Sequence, residues 1–207
     1  MKILLFVLAA IAGYCVGGWN PAITLSKLIY KKDIRTCGSG NPGFTNFRRN
    51  FGDKWAWWVM GLDMSKAAVV CAVFAWIMHH NWGIWQLAAA YTGAWAMIGH
   101  AFPAWYKFQG GKGFLVCVST VSIVDWRVGM AAFGIMVILL FTTKYMSLST
   151  MVAMLLSPVG LVLLKADTVA VVLVAAMVVF MTVRHRENIL RLFKGTERKF
   201  FSEKKKE

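Results

Sequence analysis

Apolar residues fill seven runs of this 207-residue chain, at roughly 3–24, 55–78, 84–103, 114–124, 128–143, 150–164 and 168–183, with short polar segments between them. A helix rises about 1.5 Å per residue, so crossing a hydrocarbon core of about 30 Å takes about 20 residues. The second and third runs reach that length, the fourth is short, and the sixth and seventh are marginal. The pattern predicts an all-α polytopic membrane protein with about seven transmembrane helices, some short or half-spanning and buried within the bundle. The first run follows Lys2 and continues through Val16 without a cleavage-type site, so it is expected to stay as the first span.

Composition sharpens this picture. The chain is 58% hydrophobic and 15% charged, with a mean hydropathy of +0.59, which excludes a soluble domain. Its net charge of +14 would point to nucleic acid in a soluble protein; here the positive-inside rule explains it, and no nucleic-acid partner is expected. Counting the polar gaps alternately puts Lys27, Lys31, Lys32, Arg35, Arg48, Arg49, Lys54, Lys107, Lys112, Lys144 and the tail from Arg184 onward on one side. The other side holds little beyond Lys2, Arg127 and Lys165. The N-terminus is therefore expected outside and the C-terminus in the cytoplasm. Trp19, Trp55, Trp57, Trp82, Trp85, Trp105 and Trp126 lie near the ends of runs, the interfacial position of aromatic belts. Residues 1–207 read as a single membrane domain, with 193–207 a basic tail suited to anionic lipid headgroups. The four cysteines have no paired or metal-type spacing, so neither a disulfide nor a metal site is expected.

Polar segments on the basic side carry the candidate chemistry. In the first, Gly38, Gly40 and Gly43 permit positive φ and let backbone N–H groups converge on an anion. Ser39, Asn41, Thr45 and Asn46 add side-chain hydrogen bonds, and Arg49 can grip a phosphate with two parallel ones. A plain interfacial turn with positive-inside arginines accounts for the same residues. In the second, Gly110, Gly111, Lys112 and Gly113 open an apolar run, so a glycine nest, a helix N-terminus and a lysine coincide. The strand and glycine spacing of a nucleotide P-loop are missing. His100 just upstream is either a ligand of the site or a helix-end histidine satisfied by a neighbour. Ser147, Ser149 and Thr150 precede another run and also suit a helix N-cap. In the last segment His185, Asn188 and Arg191 stand three apart on one helical face, and Glu187 and Arg191 are spaced for an ion pair. A histidine among cations is expected to titrate low and stay neutral. Asp63 and Lys66, three apart within the second run, are expected to pair inside the bundle.

These segments, GSGNPGFTN at 38–46, GHAFPAWYKFQGGKG at 99–113, KYMSLST at 144–150 and RHRENILRLFKGTE at 184–197, resemble the motifs of the bacterial PlsY family of acyl-phosphate:glycerol-3-phosphate acyltransferases. The resemblance covers most of the chain in order, spacing and sidedness. It implies transfer of a fatty acyl group from acyl phosphate to the sn-1 hydroxyl of glycerol 3-phosphate, giving lysophosphatidic acid and phosphate in the bacterial inner membrane. It places Ser39, Asn41 and Arg49 in the first site segment, Lys112 and its glycines in a phosphate-binding loop, Ser147 or Ser149 in the third segment, and His185 and Asn188 in the last. It implies no cofactor and a functional monomer. Phe44 stands where alanine is usual, Gly18-Trp19-Asn20 where Gly-Ser-Ile is typical, and Thr150 where serine is common, departures that bear on acyl-chain preference. Either His185 or a substrate phosphate oxygen serves to take the hydroxyl proton. A transporter of phosphorylated metabolites is the rival reading, although transport sites usually lie near mid-membrane and these motifs gather at one face.

Overall fold

A computed structural model describes residues 1–201 of the chain; the lysine-rich end of the predicted tail, 202–207, lies outside them. All of its regular structure is helical: α1 (Lys2–Gly18), α2 (Pro21–Tyr30), α3 (Phe44–Phe51), α4 (Asp53–Trp82), α5 (Trp85–Ala101), α6 (Phe114–Val124), α7 (Trp126–Thr143), α8 (Met146–Leu163), α9 (Thr168–Arg184) and α10 (Arg186–Phe193). Short 3-10 turns cover Ile34–Thr36 and Ala104–Tyr106. Every predicted apolar run is helical. Against the seven or so spans expected, Lys2–Tyr30, Asp53–Trp82, Trp126–Thr143 and Met146–Leu163 have the length and hydropathy to cross a membrane; α9 adds a fifth only when joined to α10 across a 58° bend.

The first apolar run is broken, because Asn20 caps a new helix. Its Oδ1 accepts from Ile23 N at 3.0 Å and Pro21 fixes the first turn of α2. The core is built on close helix approach. A Cβ on Gly17 would lie 2.1 Å from Ala96 O, and one on Gly99 would lie 2.1 Å from Tyr14 O, so α1 and α5 touch backbone to backbone. Ala88, Ala89, Ala90 and Ala96 on α5 are fully buried, whereas Val69, Val73 and Trp76 on α4 face outward. Large exposed apolar side chains on span-length helices are what a lipid-facing surface requires.

The pairing of α6 with α7 sets the depth of the site. With 11 residues against 18, α6 is roughly 10 Å shorter than its neighbour. Asp125 starts α7 directly after α6, accepting from Arg127 N at 3.0 Å. The opposite end of α6 therefore stops well short of the end of α7, and the loop before it, 110–113, sits in a recess.

Candidate active site

That recess is a cavity of about 150 Å³ at the end of the bundle where α1, α5 and α9 finish and α4, α6 and α8 begin. All four polar segments reach it. Its polar lining includes Ser39, Asn41, Gly43, Thr45, Asn46, Arg49, His100, Lys112, Gly113, Ser147, His185 and Asn188. Phe44, Met60, Phe114, Leu115, Phe133 and Met136 line it as well, so cations, hydroxyls and large apolar side chains share its wall. Gly38, Gly40, Gly110, Gly111 and Ser149 do not line it.

The first segment is held by one side chain. Asn46 Nδ2 donates to Cys37 O at 3.0 Å, and its Oδ1 accepts from Ser39 N at 3.0 Å and Asn50 Nδ2 at 3.1 Å. Gly38 (φ +57) and Gly40 (φ +71) take the left-handed backbone expected of them. Gly43 does not: its φ is −141 and it caps α3. A Cβ on Gly38 would come within 2.5 Å of Asn46 Oδ1. Asn46 is thus the rivet of the loop, and Ser39, Asn41 and Thr45 are presented on it. Arg49 donates from Nη2 to Arg198 O at 3.0 Å, and burial followed by the neighbouring cations Arg198, Arg191 and Arg48 pulls its pKa below the ordinary value, against the pull of Glu197.

The glycine loop differs from the expected nest. Gly110 N donates to Ala101 O and Gly111 N to His100 O, each at 3.1 Å, so these two N–H groups serve the end of α5 rather than an anion. Their lack of a side chain permits that approach; a Cβ on Gly110 would lie 1.9 Å from His100 O. Gly113 (φ +88) then turns the chain into α6. Arg184 Nη2 donates to Gly110 O and Gly111 O, both at 3.2 Å, and pins the loop from the other side. Lys112 reaches Asn188 Oδ1. Burial, then the charge of Arg191, lowers the Lys112 pKa to about 8, with Glu187 and Glu197 opposing and Arg184 adding to the fall.

In the third segment none of the hydroxyls is the N-cap; Tyr145 occupies that position without a side-chain bond. The tight turn at Lys144 (φ +67) starts α8 one residue before the hydroxyl cluster. Ser149 is fully buried and donates to Tyr145 O at 2.8 Å. Ser147 and Thr150 face the cavity instead, which separates the two serines that the sequence left equivalent.

His185 sits at the bend between α9 and α10, and Asn188 and Arg191 follow it on the cavity side of α10. Its Nδ1 lies 2.8 Å from Met181 O. A carbonyl only accepts, so Nδ1 carries the proton and Nε2 keeps its lone pair. Burial lowers the pKa to about 4; Lys112 and Arg184 add to the fall, and the Met181 bond and Glu197 offset part of it. The neutral state anticipated from the surrounding cations is therefore produced chiefly by desolvation.

Glu197, which carried no expected role, organises this side of the cavity. Its Oε1 accepts from Ser147 Oγ at 2.8 Å and Asn188 Nδ2 at 2.7 Å, and its Oε2 from Arg191 Nε at 2.7 Å. Burial would raise its pKa, but the bonds from Arg191, Asn188 and Ser147 bring it below the ordinary value. The expected Glu187–Arg191 pair is looser, at 3.9 Å. The available signal was a carboxylate directly after the Gly195-Thr196 turn, at the start of the basic tail. That part of the tail folds back: Phe200 N donates to Lys144 O at 2.7 Å, and the Arg48 guanidinium stacks on the Phe200 ring at 4.3 Å. Asp63 and Lys66 pair at 2.6 Å as expected, and His100 joins them.

Residues 7–195 match the model of the family described as glycerol-3-phosphate acyltransferase. The chain is 38% identical over 191 residues to a glycerol-3-phosphate acyltransferase of Rhizobium etli, covering 92% of this chain and 89% of that one. A protein of the same description from Listeria welshimeri is 36% identical over 194 residues, covering 93% and 96%. Among solved structures, the glycerol 3-phosphate form of PlsY, an integral membrane glycerol 3-phosphate acyltransferase, superposes with a TM-score of 0.87 at 27% identity and 94% coverage of both chains. Its lysophosphatidic acid form gives 0.84.

Proposed function

Because the chain belongs to the glycerol-3-phosphate acyltransferase family, we propose that it moves a fatty acyl group from acyl phosphate to the sn-1 hydroxyl of glycerol 3-phosphate. The products are lysophosphatidic acid and inorganic phosphate, the former a precursor of phospholipids. The observation that carries this reading is a single cavity lined both by cations and hydroxyls and by large apolar side chains. A phosphorylated polyol fits the first and the acyl chain of an activated lipid fits the second. The cytoplasmic face of the bacterial inner membrane is the setting, with a monomer as the working unit.

Both substrates are anionic, so Arg49 and Lys112 offset their mutual repulsion and hold the hydroxyl near the acyl carbon. A new C–O ester bond forms there, the acyl C–O bond to phosphate breaks, and phosphate leaves. The hydroxyl proton needs a base. A phosphate monoester has its second pKa near 6, whereas burial holds His185 below its ordinary value. The proton therefore passes to a substrate phosphate oxygen. The lone pair on His185 Nε2 then serves to orient the hydroxyl.

The test is phosphate release by purified protein given palmitoyl phosphate, with and without glycerol 3-phosphate. Release that depends on glycerol 3-phosphate, and is lost in Lys112→Ala, supports the reaction. Uptake of labelled glycerol 3-phosphate into vesicles without phosphate release would instead favour a transporter.

A further inference from the structure

Asp63, Lys66 and His100 form a cluster at the edge of the cavity that the reaction above does not use. All three are at least nine-tenths buried. Lys66 Nζ donates to Trp19 O at 2.6 Å, pairs with Asp63 Oδ1 at 2.6 Å and lies 3.2 Å from His100 Nδ1. One ammonium therefore joins the end of α1, the middle of α4 and the end of α5. A buried pair of this kind is a poor source of stability against an apolar replacement, so a role in specifying the site is the better explanation.

The geometry fixes which ring nitrogen of His100 carries the proton. An ammonium only donates, so Nδ1 at 3.2 Å from it must be the acceptor. The alternative, Nδ1–H donating to Asp63 Oδ1, has the longer separation of 3.4 Å, and that oxygen receives no hydrogen bond of good geometry. The proton is thus on Nε2, which makes no hydrogen bond to the described residues. Nε2 lies against Gly111, 2.2 Å from the point a Cβ there would occupy, on the loop that carries Lys112. Both His100 and Asp63 line the cavity.

We propose that Asp63 and Lys66 are positioning residues that lock His100 with its proton on Nε2, so that this N–H donates to a phosphoryl oxygen of substrate beside Lys112. The glycine loop gives up the N–H groups of Gly110 and Gly111 to α5, and His100 returns a donor to the same place. The two cavity histidines then hold opposite tautomers: His100 offers an N–H at Nε2, and His185 offers a lone pair. This rests on the reaction proposed above.

The experiment compares His100→Gln, whose amide nitrogen reaches the Nε2 position, with His100→Asn, whose amide reaches only Nδ1. For each folded variant in detergent, KM for glycerol 3-phosphate and for palmitoyl phosphate is measured together with kcat. His100→Gln is expected to keep both KM values within about threefold, while His100→Asn raises one of them about tenfold or more with kcat preserved. Whichever KM moves identifies the phosphate that is held. Equal behaviour of the two variants would overturn the donor role.

The locking role is read from two neutral pairs, Asp63→Leu with Lys66→Gln and Asp63→Leu with Lys66→Met. Only the glutamine can still donate to Nδ1, so it is expected to preserve the KM that methionine raises. Equal KM values, or a failure of both pairs to fold, would sink this part. Should the native protein release no phosphate, the reaction itself falls. The donor role would then be judged by inorganic phosphate: a thermal shift in the native protein that persists in His100→Gln and vanishes in His100→Asn.

Discussion

At the α6–α7 junction Arg127 is gripped by Asp125 two residues away, Nη2 to Oδ2 at 2.7 Å and Nε to Oδ1 at 3.0 Å. At the opposite end of the same two helices, Arg49, Lys112 and Arg184 are held by Arg198 O, the Asn188 amide oxygen and the carbonyls of Gly110 and Gly111. A carboxylate cancels a cation, whereas a carbonyl or amide oxygen aims it and leaves its charge in place. The charge of Arg127 is therefore cancelled at the junction, whereas Arg49, Lys112 and Arg184 keep theirs over the recess. Glu197 sits among these cations but is committed to Ser147, Asn188 and Arg191, so it shapes the field more than it erases it.

Removing charge at each end tests this contrast most severely. Arg49→Ala and Lys112→Ala are each expected to lower kcat/KM at least about a hundredfold, the scale for loss of one preorganised charged donor. Arg127→Ala should leave phosphate release within about twofold of native. Comparable losses at both ends would break the comparison.

The two carboxylates sharpen it next. Glu197→Ala leaves the buried donors Ser147 Oγ and Asn188 Nδ2, and the partly exposed Arg191, without their acceptor, which costs about 2–4 kcal/mol. A lowered unfolding midpoint and an activity loss of about tenfold are expected together. Asp125→Ala removes a helix cap as well as an ion pair, worth about 1 kcal/mol, and should shift the midpoint less while sparing KM for glycerol 3-phosphate.

His185 gives smaller effects with a clear sign. With the proton passed to phosphate, His185→Gln is expected to raise KM for glycerol 3-phosphate while lowering kcat by less than about tenfold; a larger fall in kcat would make His185 the base. Its pKa is lowered from 6.5 to about 4, so between these values the unfolded chain binds more protons than the folded one. Stability should fall as pH drops from 6.5 towards 4 and level off below, and His185→Gln should flatten that window. The smallest contrast separates neighbouring hydroxyls. Ser147→Ala should cost several-fold in activity by removing one of the two hydrogen bonds that hold Glu197 Oε1, and Ser149→Ala, away from the cavity, should cost less than about twofold.

The apolar runs determined where the helices lie, because burial in lipid leaves a backbone no alternative to internal hydrogen bonds. The spacing of glycines, hydroxyls and cations likewise marked the segments that meet in the cavity. What the sequence could not settle were contacts between residues far apart in the chain. Gly110 and Gly111 read as anion donors until α5 lay against them and took their N–H groups. Ser147 and Ser149 are equivalent in a string and differ only because α8 turns one towards Glu197. Glu197 had no neighbours in sequence to announce it; its three partners arrive from α8 and α10. His100 offered two tautomers, and Lys66, 34 residues away, selects one. Local pattern fixes which groups are available, but a hydrogen bond depends on distances of a few tenths of an ångström, and those are set only when the helices pack.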